Sequence, residues 1–416
     1  MTAPPRLRYT LLIPTYNRPA CLRSLLGYLA ARRFEYPIRV LDSSSAQVAS
    51  QNQDAISQAG LDIVHKIFDT RIAVASKFFL GLQSIETPYC SFCADDDILF
   101  TNHLDQILDQ LDANPHLVAA HGYYINFKPA DVFDISDIFY WAPSIVADDP
   151  LTRIVEQMGN YQAIFYAIHR TNVLRSVLSE VQRVQSLLAQ EMLSSSLSLI
   201  AGGVFRAPFF YMARNTHPSI ATEGWHPHQY LATNPELLFR EYQAYRAVVI
   251  EHLLADAHCR AMYPADQIER ILDVVHLKYL APMISPPFLD YILAELLRPG
   301  HVPGDIMSAV RGNLTNQYGE AARARGYLRR ALSQPHYTLK RISHAVLLFS
   351  GLRSQENLSV SMNRGLDKMY IDRVARDSCR RRYVLFRQFL LRQLPGGRLV
   401  TASDIRSIVQ QLDDYV

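Results

Sequence analysis

Apolar residues along the first 125 positions alternate between two patterns: short apolar runs of strand length, then stretches with apolar residues three and four apart. That alternation predicts a mostly parallel α/β sheet. RYTLLIPTY predicts a first strand ending at Pro14, followed by a helix in RPACLRSLLGYLAARR, with Asn17 placed to cap it and Pro19 in its first turn. YPIRVLD and SAQVASQNQDAISQAG predict the second strand and helix, the latter closed by Gly60. LDIVHKIFD, RIAVASKFFLGLQSIE and TPYCSFCA predict a strand, a helix and a fourth strand that runs into Asp95, Asp96 and Asp97. A helix over about 102–111, with Asp96 able to cap it, and a strand in HLVAAHGYYI complete this half.

From Asp131 to Met158 the pattern weakens, and the segment reads as a loop-rich insertion able to cover a site. YQAIFYAIHR predicts a strand, SVLSEVQRVQSLLAQEMLSSSLSLIAG helical material interrupted near Gln190, and GVFRAPFFYMAR another strand, before the His-rich NTHPSIATEGWHPHQ. From about Asn234 onward the chain is helical in character. A boundary near 225–235 therefore divides it into an α/β domain over 1–230, with halves at about 8–125 and 126–230, and an all-α domain over 231–416.

The composition, 49% hydrophobic and 19% charged with a mean hydropathy of −0.03, is that of a water-soluble globular protein. No run reaches the roughly 18–20 apolar residues of a membrane span and the first ten residues lack the apolar core of a signal peptide, so a cytoplasmic protein is expected. Five scattered cysteines, Cys21, Cys90, Cys93, Cys259 and Cys379, suggest reduced thiols; Cys90 and Cys93 lie on a strand and should face opposite ways. Net charge is only +3, yet Glu320 to Leu399 holds 17 Lys and Arg against five Asp and Glu. That basic stretch, interleaved with Leu, Val, Phe and Tyr, suits peripheral contact with the inner face of a membrane, a polyanionic glycan, a partner subunit, or simply a solvated helical face. No nucleic-acid-binding signature accompanies it, so no nucleic-acid partner is expected.

The strand assignments place Pro14 to Asn17, Asp42 to Ser45, Asp69 to Arg71 and Asp95 to Asp97 at the carboxyl ends of successive strands, where open parallel sheets bind ligands. Asp95 and Asp97 have the alternate spacing that lets two carboxylates face one hard cation, with Mg2+ or Mn2+ shared with a diphosphate the natural occupant. The competing account is an acidic helix N-terminus stabilised by the helix dipole.

LLIPTYNRP, VLDSSS and FCADDDIL together resemble the nucleotide-binding half of family 2 glycosyltransferases of the GT-A fold, whose third motif is D-x-D. The resemblance covers about 8–125 well and 160–217 loosely. It implies a Rossmann-like GT-A sheet and an enzyme moving a hexosyl or related sugar from a nucleoside-diphosphate sugar, a UDP-sugar before others, to the hydroxyl of a glycan or lipid-linked acceptor in cell-surface polysaccharide or glycoconjugate synthesis. Carried over by position, Pro14, Thr15, Tyr16, Asn17 and Arg18 lie against the nucleotide, and Asp42 accepts from the base. DSSS replaces the usual paired Asp and Gly there and leaves the base open. Arg71 and Lys77 cross the diphosphate, Asp95 and Asp97 hold Mn2+ or Mg2+, and Asp96 reaches the nucleotide sugar. Glu191 matches the carboxylate that deprotonates the acceptor in inverting members; without it a retaining route opens. His217 matches a later ligand to the metal or diphosphate, with His226 and His228 weaker candidates.

Trp225, Tyr230 and Trp141 are acceptor-stacking candidates, joined by Tyr123, Tyr124 and Tyr140. No G-x-x-x-x-G-K-[ST], H-E-x-x-H, G-x-S-x-G or strand-linked G-x-G-x-x-G occurs, which argues against P-loop kinases, zinc proteases, serine hydrolases and dinucleotide dehydrogenases. A nucleotidyltransferase acting on a sugar phosphate, and a non-catalytic binding or assembly protein on the same scaffold, are the other readings.

Overall fold

The computed structural model describes residues 7–128, 134–139, 143–159, 161–162, 164–215 and 235–280. The basic stretch from Glu320 onward lies outside them. Nine strands form one sheet: β1 (Tyr9–Thr15), β2 (Ile38–Asp42), β3 (Ile63–Ile67), β4 (Tyr89–Phe92), β5 (Ile98–Leu99), β6 (Leu117–Lys128), β7 (Asp134–Phe139), β8 (Ile168–Arg170) and β9 (Gly203–Asn215). Their order is β3-β2-β1-β4-β8-β6-β9-β5, with β7 paired to β6. β3, β2, β1 and β4 are mutually parallel, β8 runs against β4 and β6, and β9 runs parallel to β6. This is a mixed sheet in an α/β arrangement.

Helices α1 (Pro19–Ala31), α2 (Ala46–Ala59) and α3 (Val74–Leu82) follow the first three strands, and α4 (Leu104–Ala113) follows β5. Gly60 closes α2 at φ 64° in the left-handed region, as its position implied. Because β1 leads to β2 on one side while β4 lies on the other, the sheet reverses between β1 and β4. A crevice opens at such a reversal. Pairing of β1 with β4 stops at Leu12 opposite Phe92, so Pro14, which has no N–H to donate, sits beyond the end of that ladder.

The second half departs from the periodicity. The weak stretch contains β7 and α5 (Pro150–Gly159), and only Ile168–Arg170 of YQAIFYAIHR is strand. The helical break falls before Gln190, between α6 (Thr171–Val181) and α7 (Leu187–Ala201), where Ser186 caps α7 by accepting from Ala189 N–H at 3.2 Å. Two charges complete α7. Glu241, on α8 (Pro235–Ala255), accepts from the N–H groups of Gln185 and Ser186 at 2.6 and 2.7 Å, and Arg153 of α5 donates to Leu199 O and Ile200 O at 2.5 and 3.0 Å. An acid at the N-terminus and a cation at the C-terminus both complement the helix dipole. α8, α9 (Ala257–Met262) and α10 (Ala265–Leu280) share a buried core with α5, α6 and α7, through residues such as Tyr245, Val249, Cys259 and Leu272. Among the described residues no helix is long and apolar enough to cross a membrane.

Gly122 lies at a register shift between β6 and β9. A Cβ there would stand 2.2 Å from Phe209 O, a backbone atom with little freedom to move. Gly122→Ala is therefore expected to cost about 3 kcal/mol. In urea unfolding the midpoint should fall with its slope unchanged; an unshifted midpoint would mean that the two strands separate freely at this point.

Candidate active site

The three aspartates lead into a strand and not into a helix. β5 follows Asp97 directly and pairs with β9, Ile98 opposite Ala213, while α4 begins only at Leu104 with His103 before it. Asp96 therefore caps no helix, and the helix-dipole account of the triplet fails on connectivity. The charges are offset instead by side chains from elsewhere in the chain. Thr15, at the end of β1, donates its hydroxyl to Asp95 Oδ2 at 2.6 Å across the crevice. Arg18 spans two of the three, pairing Asp95 Oδ1 through Nη2 and Asp96 Oδ2 through Nη1, the latter at 2.6 Å.

Asp97 is held from β9. The β5–β9 pairing brings Asn215 N–H to its Oδ1 at 2.9 Å and puts the Arg214 cation close enough to lower its pKa. Burial nevertheless dominates. It pushes Asp97 up to about 7 against the pull of Arg214, and Asp95 up to about 6 against Arg18 and the Thr15 hydrogen bond. Both side chains are buried. Two buried carboxylates two positions apart suit a hard divalent cation in donor chemistry, with both oxygens of Asp95 already engaged by Thr15 and Arg18. Among the described residues no three His, Cys, Asp or Glu groups are placed to hold one metal ion.

Asn17 does not cap α1. It occupies the left-handed region at φ 53° and bridges to the loop after β2, its N–H donating to Ser44 Oγ at 2.8 Å and its Oδ1 accepting from Ser45 N–H at 3.0 Å. Arg18 takes the cap position without a side-chain cap, which leaves its guanidinium to the aspartates. Tyr16 beside it is half exposed at 51%, a ring face open at the crevice.

Asp42 is fully buried and its carboxylate is engaged by the chain itself. Oδ1 accepts from Ser44 N–H at 2.8 Å; Oδ2 accepts from Asn52 Nδ2 at 2.8 Å and lies 3.0 Å from His65 Nε2. Burial raises its pKa, but the hydrogen bonds from His65, Asn52 and Ser44 outweigh that and hold it well below the usual carboxylate range. It organises the β2–α2 loop, and its capacity to accept from a base is largely taken.

Lys77 is buried at 5% exposure, its Nζ donating to Thr15 O at 3.2 Å and Ser43 Oγ at 2.9 Å. Burial lowers it to about 8, while Asp95 and Asp42 pull upward. Arg71 is the cation left at the surface, 90% exposed and paired loosely with Asp69.

Glu191 is the fifth residue of α7 and not the acid ahead of it. Tyr161 donates to its Oε1 at 3.2 Å. Burial raises its pKa, and Arg214 and the Tyr161 hydrogen bond pull it back. Asp97 and Glu191 thus lie within the field of one cation, Arg214, whose guanidinium is 5.8 Å from the ring of Tyr166. Arg214 was missed because no local pattern distinguishes it in FYMAR; its place depends on the pairing of strands more than a hundred residues apart.

His217, Trp225, Tyr230 and Trp141, with His226, His228 and Tyr140, lie outside the described residues. Tyr123 and Tyr124 are buried in the core and are not stacking surfaces. Cys90 and Cys93 are buried free thiols, both raised by burial.

No family model and no curated protein matches the sequence. Among solved structures, the chain is similar to residues 1–349 of S. aureus TarS in complex with UDP-GlcNAc, at 14% identity and a TM-score of 0.48, over 77% of this chain and 92% of that one. The longer S. aureus TarS matches at 13% identity and a TM-score of 0.47, over 76% of this chain and 55% of that one. The mannosyltransferase PcManGT from Pyrobaculum calidifontis, in complex with GDP-Man and Mn2+, matches at 13% identity and a TM-score of 0.39, over 75% and 87%.

Proposed function

We propose that the chain is a glycosyltransferase that uses a nucleoside-diphosphate sugar and a divalent cation, and that it transfers with inversion to an acceptor hydroxyl. The observation that carries this reading is the convergence at the sheet reversal: Thr15, Arg18 and Asp95 to Asp97 meet in the crevice, and Asp97 and Glu191 share Arg214. Asp95 and Asp97 would hold Mn2+ or Mg2+, with Asp96 beside them. When bound, that ion supplies positive charge to the leaving diphosphate.

The chain's own residues do the rest. Thr15 fixes the orientation of Asp95, while Asn17 and Asp42 hold the loop facing the exposed Tyr16 ring, where the base would lie. Arg18 and Arg71 provide cations for the phosphates at the mouth. Glu191 takes the proton of the acceptor hydroxyl as its oxygen bonds to the anomeric carbon and the bond from that carbon to the phosphate oxygen breaks. Burial raises the pKa of Glu191, which makes it a stronger base, and Arg214 with Tyr161 opposes that rise.

The test is calorimetric titration with a panel of nucleoside diphosphates, with and without Mn2+, on the wild type and on Asp97→Ala. One nucleotide should bind with micromolar affinity only when both Mn2+ and Asp97 are present. Absence of metal-dependent binding across the panel would remove the donor site and this reading with it.

A further inference from the structure

A pocket of about 70 Å3 opens beside Glu191. Its walls come from α3, α6, α7 and the segment before β8. Of the ten residues that line it, only Tyr166, Gln190 and Glu191 carry a polar side-chain atom. Gln190 Nε2 donates back to Val184 O at 3.2 Å and Gln185 O at 3.1 Å, so much of its capacity is spent on its own helix turn. The aromatic wall is braced from behind. Phe165 packs on Phe78 with ring centroids 5.3 Å apart, and stacks on buried Phe92 at 5.0 Å.

A sugar ring in such a pocket would give up its hydrogen bonds to water and find few replacements, each buried loss costing about 1–3 kcal/mol. An alkyl or aryl group would lose nothing polar and gain by burial. The single carboxylate of the wall, Glu191, is the group to which the proton of an attacking hydroxyl would go.

We propose that this pocket takes the apolar part of the acceptor next to its hydroxyl, and that the acceptor is an alcohol carried on an apolar alkyl or aryl group, its hydroxyl directed at Glu191. The proposal rests on the transferase reading for the role of that hydroxyl, whereas the pocket's preference can be measured without turnover. Val74 lines the pocket and is 41% exposed, so it can be changed without disturbing the core.

The experiment is saturation-transfer NMR with dissociation constants from titration, using 1-hexanol, phenethyl alcohol and 4-butylphenol against glucose and maltose, on the wild type, Val74→Trp and Val74→Lys. The apolar alcohols should bind saturably and the sugars at least tenfold more weakly. Both variants should weaken the alcohols tenfold or more, while nucleotide binding stays within twofold of the wild type. Equal or better binding of the sugars, or alcohol binding indifferent to both substitutions, would overturn the proposal. Failure of the nucleotide titration with the alcohol preference intact would fall on the transferase reading alone.

Discussion

Asp97→Asn is expected to make the metal-free protein more stable at pH 8 while abolishing its metal-dependent nucleotide binding. Asp97 is buried at 4% exposure, and burial raises it from 3.8 to about 7. A carboxyl whose folded pKa lies above its unfolded value contributes stability that is complete below pH 4 and is lost as pH rises through 7. At pH 8 the native state therefore carries an ionised group that it holds poorly, at a cost on the order of 2–4 kcal/mol. Asn removes the charge and can still accept from Asn215 N–H through its Oδ1. The measurement is urea unfolding in the presence of a chelator at pH 8 and pH 5: the variant should be the more stable at pH 8, and the advantage should be less than half as large at pH 5, vanishing only below pH 4. A variant less stable than the wild type at both values would show Asp97 to be a structural acid whose charge Arg214 fully satisfies. A gain in stability paired with a loss of binding is the pattern of a residue kept for function at the expense of the fold.

Glu191→Gln should lower kcat by 100- to 10,000-fold, about 3–5 kcal/mol of barrier, while leaving affinity for the nucleotide donor within twofold of the wild type. The amide keeps the shape of the side chain and can still accept from Tyr161, so α7 and its caps at Ser186, Glu241 and Arg153 should be undisturbed. A pH profile separates a base from a merely structural glutamate. Wild-type kcat/KM should fall on the acidic side through a pKa above the ordinary glutamate value, because burial raises Glu191 and the base works only when deprotonated. The acidic limb assigned to Glu191 should vanish from the residual activity of the variant. Unchanged kcat would move the base elsewhere, and a product of retained configuration would replace the single displacement with a different route.

Much of the first half was legible in the sequence because its determinants are local. An apolar run ending at Pro14, a helix closed by Gly60 and a strand stopped by three aspartates each follow from neighbours within about ten positions, and the parallel α/β alternation follows from their repetition. The second half was legible only in part. β7 and α5 lie where polar and apolar residues show no clear period, and the break before α7 is set by capping groups, one of which, Glu241, arrives from another helix.

By itself, the sequence determined that acidic and basic groups would stand at the carboxyl edge of a parallel sheet, since strand ends are set by local pattern and chain direction. Only the tertiary structure decided what each group does there. Lys77 and Asp42 read as ligand contacts, yet folding buried both and satisfied them internally, because the β2–α2 loop and α3 close over them. Arg214 carried no local signal, yet the antiparallel pairing of β5 with β9 brought its charge near enough to lower the pKa of both Asp97 and Glu191. The repulsion among three adjacent carboxylates was visible in the chain; the cations that offset it come from positions about 80 and 120 residues away, and their meeting is a property of the sheet order.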